Sequence, residues 1–106
     1  MKKKALKTVD IEAFEHFDKI NGNSYFSALV TLNSGLENEE IHAIPFQYGY
    51  GSQFEHEAKE LLKKLFPRTK WAKKNEPLWM LNYDRIKVNT SKVEGLSERK
   101  CKQMVA

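Results

Sequence analysis

The sequence predicts an α+β domain in which three to four antiparallel strands form one small sheet and one amphipathic helix packs on one face, in the order β-β-β-α-β. Two observations predict this class. Residues 25–32 alternate with a period of two, which is typical of a strand with one buried face. Residues 41–66 join an apolar run through a glycine-rich turn to a segment whose apolar residues recur at helical spacing.

The first two strands are predicted to form a hairpin. Residues 14–20 are the first periodic segment, and they are followed by Asn21-Gly22, a strong signal for a two-residue hairpin turn because both residue types tolerate positive φ. Leu29 falls among the polar residues of the returning strand. The opposite, core-facing side of that strand carries Phe26, Ala28, Val30 and Leu32.

A loop and a third strand follow. Residues 33–40 are rich in turn-forming and charged side chains, which favours a loop. Residues 41–48 alternate again, and Pro45 within them favours an edge strand or a bulge because proline cannot donate a hydrogen bond to a neighbouring strand. Gly49 and Gly51 are predicted to give the backbone the freedom it needs to reverse into the helix.

The helix is predicted over residues 53–66. Ser52 and Glu55 stand at the spacing of a capping box, so they mark its start. Phe66-Pro67 marks its end, because a residue before proline is disfavoured in the helical conformation. The apolar stripe that is predicted to pack on the sheet consists of Phe54, Ala58, Leu61, Leu62 and Leu65.

The C-terminal third carries weaker signals. Residues 68–77 are basic and are predicted to form a loop with one helical turn, anchored by Trp71. Residues 78–88 are apolar enough for a last strand that ends at residues 89–91.

Two structures fit the last eleven residues. Ser97 can cap a short helix in which Cys101 and Met104 share one side, or residues 102–105 can form a late edge strand. The helix is favoured.

Length and composition predict one soluble domain. The chain has 106 residues, of which 41% are hydrophobic and 30% charged. We expect residues 1–10 to form a basic tail and residues 11–106 to form the domain. Neither a spanning segment nor the apolar core of a signal peptide is recognisable, and Cys101 is the only cysteine. We therefore expect a cytoplasmic protein without membrane partners.

Charge is distributed unevenly. The net charge is +4, with four lysines in residues 1–10, six acids against Lys19 in residues 11–51, and ten basic against four acidic residues in residues 67–106. A chain that is basic at both ends suggests a surface that faces a polyanion. The N-terminal lysines, Lys2 to Lys4, are interpreted as a solvated tail.

No catalytic, cofactor or metal motif is recognisable, so we predict a protein that is not an enzyme and needs no cofactor. The turn at residues 48–52 lacks the lysine of a P-loop and the third glycine of a dinucleotide fingerprint. His16 and His42 are isolated. His56 and Glu60 share the i, i+4 spacing of metal ligands, but two ligands do not close a site.

Two strings carry a resemblance. N-G-N-S-Y-F-S at residues 21–27 and P-F-Q-Y-G-Y-G at residues 45–51, followed by the amphipathic helix, resemble small bacteriophage proteins whose function is not established. The similarity extends over about half of the chain. It implies a small viral protein made in the bacterial host cytoplasm, from a class that often acts by binding a host or viral macromolecule.

We therefore expect a non-enzymatic bacteriophage accessory protein that binds a bacterial host or phage protein stoichiometrically, for example as an inhibitor of a host defence or replication component. The predicted contact is either the acidic stretch with Glu37, Glu39 and Glu40 or the exposed aromatic turn with Tyr48 and Tyr50.

The alternative is a DNA- or RNA-binding protein that uses the basic C-terminal half. Its predicted phosphate contacts are Lys70, Lys73, Lys74, Arg85 and Lys87. Some of the aromatic residues are predicted to form a platform on which bases stack, and the candidates are Tyr25, Phe46, Tyr48, Tyr50, Trp71, Trp79 and Tyr83.

Overall fold

A four-stranded mixed sheet with helices on both faces forms the fold, in the strand order β3-β2-β1-β4. The computed structural model describes residues 6–49, 51, 53–73 and 76–105. The elements are β1 (Thr8–Asp18), β2 (Asn23–Leu32), β3 (Glu40–Tyr48), α1 (Gln53–Leu65), a first 3₁₀ helix (Trp71–Lys73), a second 3₁₀ helix (Leu78–Asp84), β4 (Lys87–Val93) and α2 (Glu98–Met104). The predicted α+β class is confirmed. Among the described residues no helix is both long and apolar enough to cross a membrane.

The expectation of a purely antiparallel sheet is wrong for β4. The first three strands pair antiparallel, whereas β4 pairs with β1 in parallel, from Thr8 beside Lys87 to Phe14 beside Val93. The reason is the connection between β3 and β4, in which α1 returns the chain from the end of β3 to the end of the sheet where β1 begins. The next strand beside β1 then has to run in the same direction.

The ends of β1 also differ from expectation. The strand begins at Thr8, inside the segment predicted to be a tail. The hairpin has a four-residue loop rather than a two-residue turn, and Gly22 alone in that loop has positive φ. The Asp18 carboxylate organises the loop, because it accepts hydrogen bonds from Ile20 N at 3.0 Å and from Asn21 Nδ2 at 2.8 Å. The side-chain bond from Asn21 is the main reason why the pKa of Asp18 is lowered.

The main core lies between the sheet and α1, and the predicted stripe faces it. Phe54, Ala58 and Leu62 are buried, while Leu61 and Leu65 are half-buried against the same cluster. The four predicted inward residues of β2 are also buried. Pro45 lies on an edge strand whose register shifts opposite Phe26 and Ala28, so both of its predicted roles are found.

The two glycines before α1 have different roles. Gly51 has φ +62, a conformation that L side chains rarely adopt. Gly49 is needed because it has no side chain: a Cβ atom there would lie 2.7 Å from both Gln53 Cγ and Phe26 Cε1. Ser52, the predicted cap, and Tyr50 lie outside the described residues.

The strand predicted over residues 78–88 is wrong. Residues Leu78–Asp84 form the second 3₁₀ helix, and β4 begins only at Lys87 and includes residues 89–91. Leu78 and Leu81 are both buried, and a spacing of three residues returns to the same side of a 3₁₀ helix.

Helix α2 confirms the helical alternative for the C-terminal segment, and it adds a second layer that the sequence did not predict. Ser97 Oγ accepts a hydrogen bond from Lys100 N at 3.1 Å, as expected of a cap. Cys101 is fully buried, and its carbonyl oxygen accepts a 2.6 Å hydrogen bond from Ser27 Oγ. Because Ser27 and the core-facing residues of β2 lie on opposite sides of the sheet, α2 covers the face that α1 does not.

Candidate functional site

The parallel pairing of β1 and β4 brings the two basic parts of the chain together. Lys87 N donates a hydrogen bond to Lys7 O at 3.0 Å, and both side chains are exposed. Arg85, also exposed, precedes Lys87 by two residues. Three cationic residues from distant parts of the sequence therefore lie at the end of the sheet where β1 and β4 begin.

Two exposed aromatic rings lie on the second 3₁₀ helix, just before Arg85. Trp79 is 56% and Tyr83 77% exposed, and their ring centroids are 6.2 Å apart in an edge-to-face arrangement. Buried Leu78 and Leu81 hold the helix against the core. We call Lys7, Trp79, Tyr83, Arg85 and Lys87 together the basic aromatic corner.

The backbone around Arg85 is fixed by its neighbours. Arg85 has the left-handed φ of 62° and its N–H donates to Asn82 O at 3.2 Å, which ends the 3₁₀ helix. Ile86 N donates to Leu81 O at 3.2 Å, and the Ile86 side chain is buried. Arg85 and Lys87 thus flank an anchored residue, which keeps both charges at the surface.

Asn33 positions the N-terminal side of the corner. It is buried, it has φ 53°, and its Oδ1 accepts hydrogen bonds from Lys7 N at 2.7 Å and Thr8 N at 3.3 Å. Sequence reasoning placed Asn33 in a loop and Lys7 in a tail. The only signal for Asn33 was its residue type, since asparagine is enriched in the left-handed conformation.

The predicted phosphate contacts are not all brought together. Arg85 and Lys87 belong to the corner, whereas Lys70 and Lys73 are exposed on the segment that follows α1. Lys74 lies outside the described residues.

The predicted stacking residues also separate. Trp71 is buried beside Phe66, with ring centroids 6.0 Å apart. Tyr25 and Phe46 are half-buried and stack on each other at 5.4 Å. Of the tryptophans and tyrosines in the described residues, Tyr48, Trp79 and Tyr83 are the exposed ones.

The predicted protein-contact residues lie at opposite ends of β3. Glu40 pairs with Leu32 and Tyr48 with Tyr25, so a strand length of about 26 Å separates them. Tyr48 is 58% exposed. The acidic loop and the aromatic turn therefore form two surfaces rather than one.

The acidic loop also uses carboxylates for its own structure. Glu39 Oε2 accepts a 2.7 Å hydrogen bond from Gly35 N, and Glu40 Oε1 lies 3.5 Å from His42 Nε2. Glu37 is exposed in the same loop, and Tyr50 lies outside the described residues.

The aromatic cluster under α2 is a packing site. His16 Nδ1 is 2.8 Å from Leu96 O, and the ammonium of Lys102 lies 5.3 Å from the centroid of the Phe46 ring. Burial raises the pKa of the Cys101 thiol, with a further contribution from the charge of Glu15. A buried, protonated thiol is a poor nucleophile.

The three histidines lie on β1, β3 and α1. Within the part of the chain that the structure describes, no three His, Cys, Asp or Glu side chains are grouped so that they could hold a metal ion.

The fold and the corner define the class of this molecule: a small α+β domain that exposes aromatic rings beside cations. Comparison with protein-family models, curated proteins and solved structures finds no match to the chain. Its function is therefore argued from the chemistry of its surface.

Proposed function

We propose that this protein is a non-enzymatic binding protein that holds single-stranded nucleic acid at the basic aromatic corner. The observation that carries the proposal is that exposed Lys7, Arg85 and Lys87 lie at one end of the sheet, where β4 follows a 3₁₀ helix that exposes Trp79 and Tyr83. Following the resemblance to small bacteriophage proteins, we place this activity in the cytoplasm of a bacterial host, where the protein acts as a stoichiometric phage accessory factor.

The cations supply the electrostatic part of the binding. Lysine and arginine side chains that neutralise phosphates release the counterions condensed around a nucleic acid, so the affinity falls as salt rises. Lys2, Lys3 and Lys4 precede Lys7 closely in the sequence and lie outside the described residues. Asp84 directly precedes Arg85 and is also exposed, so it places one negative charge near the cations.

The aromatic rings favour a single strand over a duplex. Unpaired bases can stack on protein aromatic rings, whereas the bases of a duplex already stack on each other. Trp79 and Tyr83 each expose more than half of their surface, and their rings pack edge to face. Their exposed surface is available for contact with unpaired bases.

The first test measures binding of a fluorescent oligonucleotide of about 12 nucleotides by anisotropy, as a single strand and as the duplex of the same sequence. We expect the single strand to bind more tightly and its affinity to fall steeply between about 50 and 200 mM salt. Equal affinity for the duplex would contradict the proposed mode of binding.

Variants locate the site. Trp79→Ala is expected to weaken binding about tenfold, which corresponds to the loss of one stacked base. Arg85→Asn with Lys87→Gln should reduce the salt dependence, and asparagine suits the left-handed backbone at residue 85. Tyr48→Ala and Lys19→Gln are the matched controls, because both side chains are exposed at the other end of the sheet. Equal losses in the controls would remove the corner as the site.

The second candidate is stoichiometric binding of a bacterial host or phage protein, and the exposure of Ile41 favours it. Ile41 is 62% exposed and follows Glu39 and Glu40 directly, which resembles an apolar contact with an acidic rim. A pull-down from nuclease-treated bacterial lysate tests it. The candidate requires a captured protein that is lost with Ile41→Asp and retained with Trp79→Ala.

A further inference from the structure

A cavity of about 230 Å³ lies between α1 and the second 3₁₀ helix, and Trp79 forms part of its wall. Trp79 therefore belongs both to the basic aromatic corner and to this cavity. The polar side chains that line it are Glu55, His56, Lys59, Glu60 and Glu76.

Lys59 is the buried cation of the cavity. The residue is 6% exposed, and its Nζ donates a 2.9 Å hydrogen bond to Glu76 O. Burial lowers the pKa of Lys59, which the charge of Glu76 partly opposes. Since an ammonium group has three donors, Lys59 retains hydrogen-bonding capacity for a ligand beyond its bond to the backbone.

The carboxylates outnumber this donor. Glu55, Glu60 and Glu76 provide carboxylate acceptors, although Glu60 Oε1 also lies 3.6 Å from Lys63 Nζ. The ring of His56 adds one further group that can donate or accept. A matching ligand needs an N–H-rich edge for these acceptors, an acceptor atom for Lys59 and a flat ring to lie beside Trp79. Nucleobases with an exocyclic amino group combine these features, whereas thymine and uracil present carbonyl oxygens in place of that group.

We propose that this cavity holds one amino-bearing nucleobase, for which cytosine serves as the probe, and discriminates against thymine and uracil. The inference extends the proposed function, since the base would belong to a strand whose phosphates lie along Arg85 and Lys87. The same base chemistry is available in a free nucleoside, so the two sources are tested separately.

The first arm compares oligo-dC with oligo-dT of equal length by anisotropy at neutral pH. We expect oligo-dC to bind about tenfold more tightly, the discrimination of one good base contact. Glu55→Gln and Glu60→Gln should each reduce that ratio, because an amide replaces an acceptor by a donor. Glu57→Gln is the matched control, since Glu57 lies on the same helix but bonds to Gln53 Nε2 at 3.2 Å outside the cavity lining.

The second arm uses free cytidine and uridine and follows tryptophan fluorescence. Saturable quenching by cytidine and not by uridine is expected. Trp79→Phe should abolish it, because the remaining Trp71 is buried.

The two arms separate the failures. Strand binding without a preference for cytosine, or a preference that Glu55→Gln and Glu60→Gln leave unchanged, would overturn the cavity assignment and leave the proposed function standing. Cytidine-specific quenching without strand binding would support the cavity and overturn the proposed function. The absence of both signals would overturn both proposals.

Discussion

The two faces of the sheet are covered to different depths. On one face α1 and both 3₁₀ helices contribute to a continuous apolar cluster in which residues such as Val30 and Leu62 are fully buried. On the other face the seven-residue helix α2 covers part of the sheet, where Phe14, Ser27 and Cys101 are buried. The same face also carries an open cavity of about 220 Å³, which polar and apolar residues of β1, β2 and β4 line together.

Because of this difference, we expect the two faces of the sheet to open in different ways. We call the apolar cluster under α1 and the two 3₁₀ helices the thick layer, and helix α2 with the residues that it covers the thin layer. The thick layer is expected to open only with the whole domain, whereas a short helix such as α2 can open by itself. The basic aromatic corner lies at the border of the thick layer, with exposed side chains on a backbone that Leu78, Leu81 and Ile86 anchor. Substitutions in the corner should therefore change binding without unfolding the protein.

The largest expected effect comes from the thick layer. Leu62→Ala should lower the free energy of unfolding by about 2–5 kcal/mol, because it removes a fully buried side chain and leaves a cavity. Urea denaturation measures the change. Leu61→Ala is the matched control on the adjacent, half-buried position and should cost clearly less. Equal losses at the two positions would contradict the assignment of the buried helix face.

A smaller effect is expected where β3 enters α1. Gly49→Ala should cost about 1–3 kcal/mol, since the added methyl group would overlap Gln53 and buried Phe26. Gly51→Asn is the contrasting variant, because Gly51 needs a left-handed φ but has open space around it. Thermal unfolding should show a clear loss for the first variant and little change for the second. A larger loss of stability for Gly51→Asn than for Gly49→Ala would contradict the roles assigned to the two glycines.

The sequence predicted the thick layer well because its signals are local. The stripe of α1, the alternation of β2 and the edge character around Pro45 each depend on the periodicity or chemistry of one segment. The direction of β4 could not be predicted in this way, since it depends on where the connection from α1 delivers the chain. The second 3₁₀ helix was mistaken for a strand because an apolar run as short as residues 78–81 fits either structure.

The candidate site was predicted in part. Composition pointed to Arg85 and Lys87, but Lys7 joins them only through the long-range pairing of β1 with β4. Burial decides which aromatic residues can contact a ligand. The sequence does not distinguish Trp71 from Trp79, but in the structure Trp71 is buried in the core and Trp79 is exposed. The separation of Glu40 from Tyr48, by contrast, follows from the length of the strand that was predicted between them.

The next effect tests whether the thin layer opens separately. Ser27→Ala removes the donor to Cys101 O and should cost about 1–2 kcal/mol, because a buried carbonyl near the C-terminus of α2 loses its partner. Hydrogen exchange should accelerate at Cys101 N, which bonds to Ser97 O, and stay unchanged within α1. Ser24→Ala, on the same strand, is the control. Uniform acceleration throughout the domain would show that the two layers open together.

The smallest expected effect is a pH dependence that originates under α2. Burial raises the pKa of the Cys101 thiol above its ordinary value of 9.0. The unfolded chain therefore loses the thiol proton first, so the contribution of this group to stability is complete below pH 9.0 and is lost as the pH rises through the folded pKa. Stability measured by denaturation should fall more with rising alkaline pH in the wild type than in Cys101→Ala.

The comparison of these two proteins isolates the thiol. Lys59, with a lowered pKa, and Lys92, with a raised one, also titrate differently in the folded and unfolded states, but both are present in each protein and cancel in the difference. Hydrogen exchange at alkaline pH locates the effect, which should appear in α2 before α1. If the wild type and Cys101→Ala lost stability in parallel, burial would not raise the pKa of the thiol.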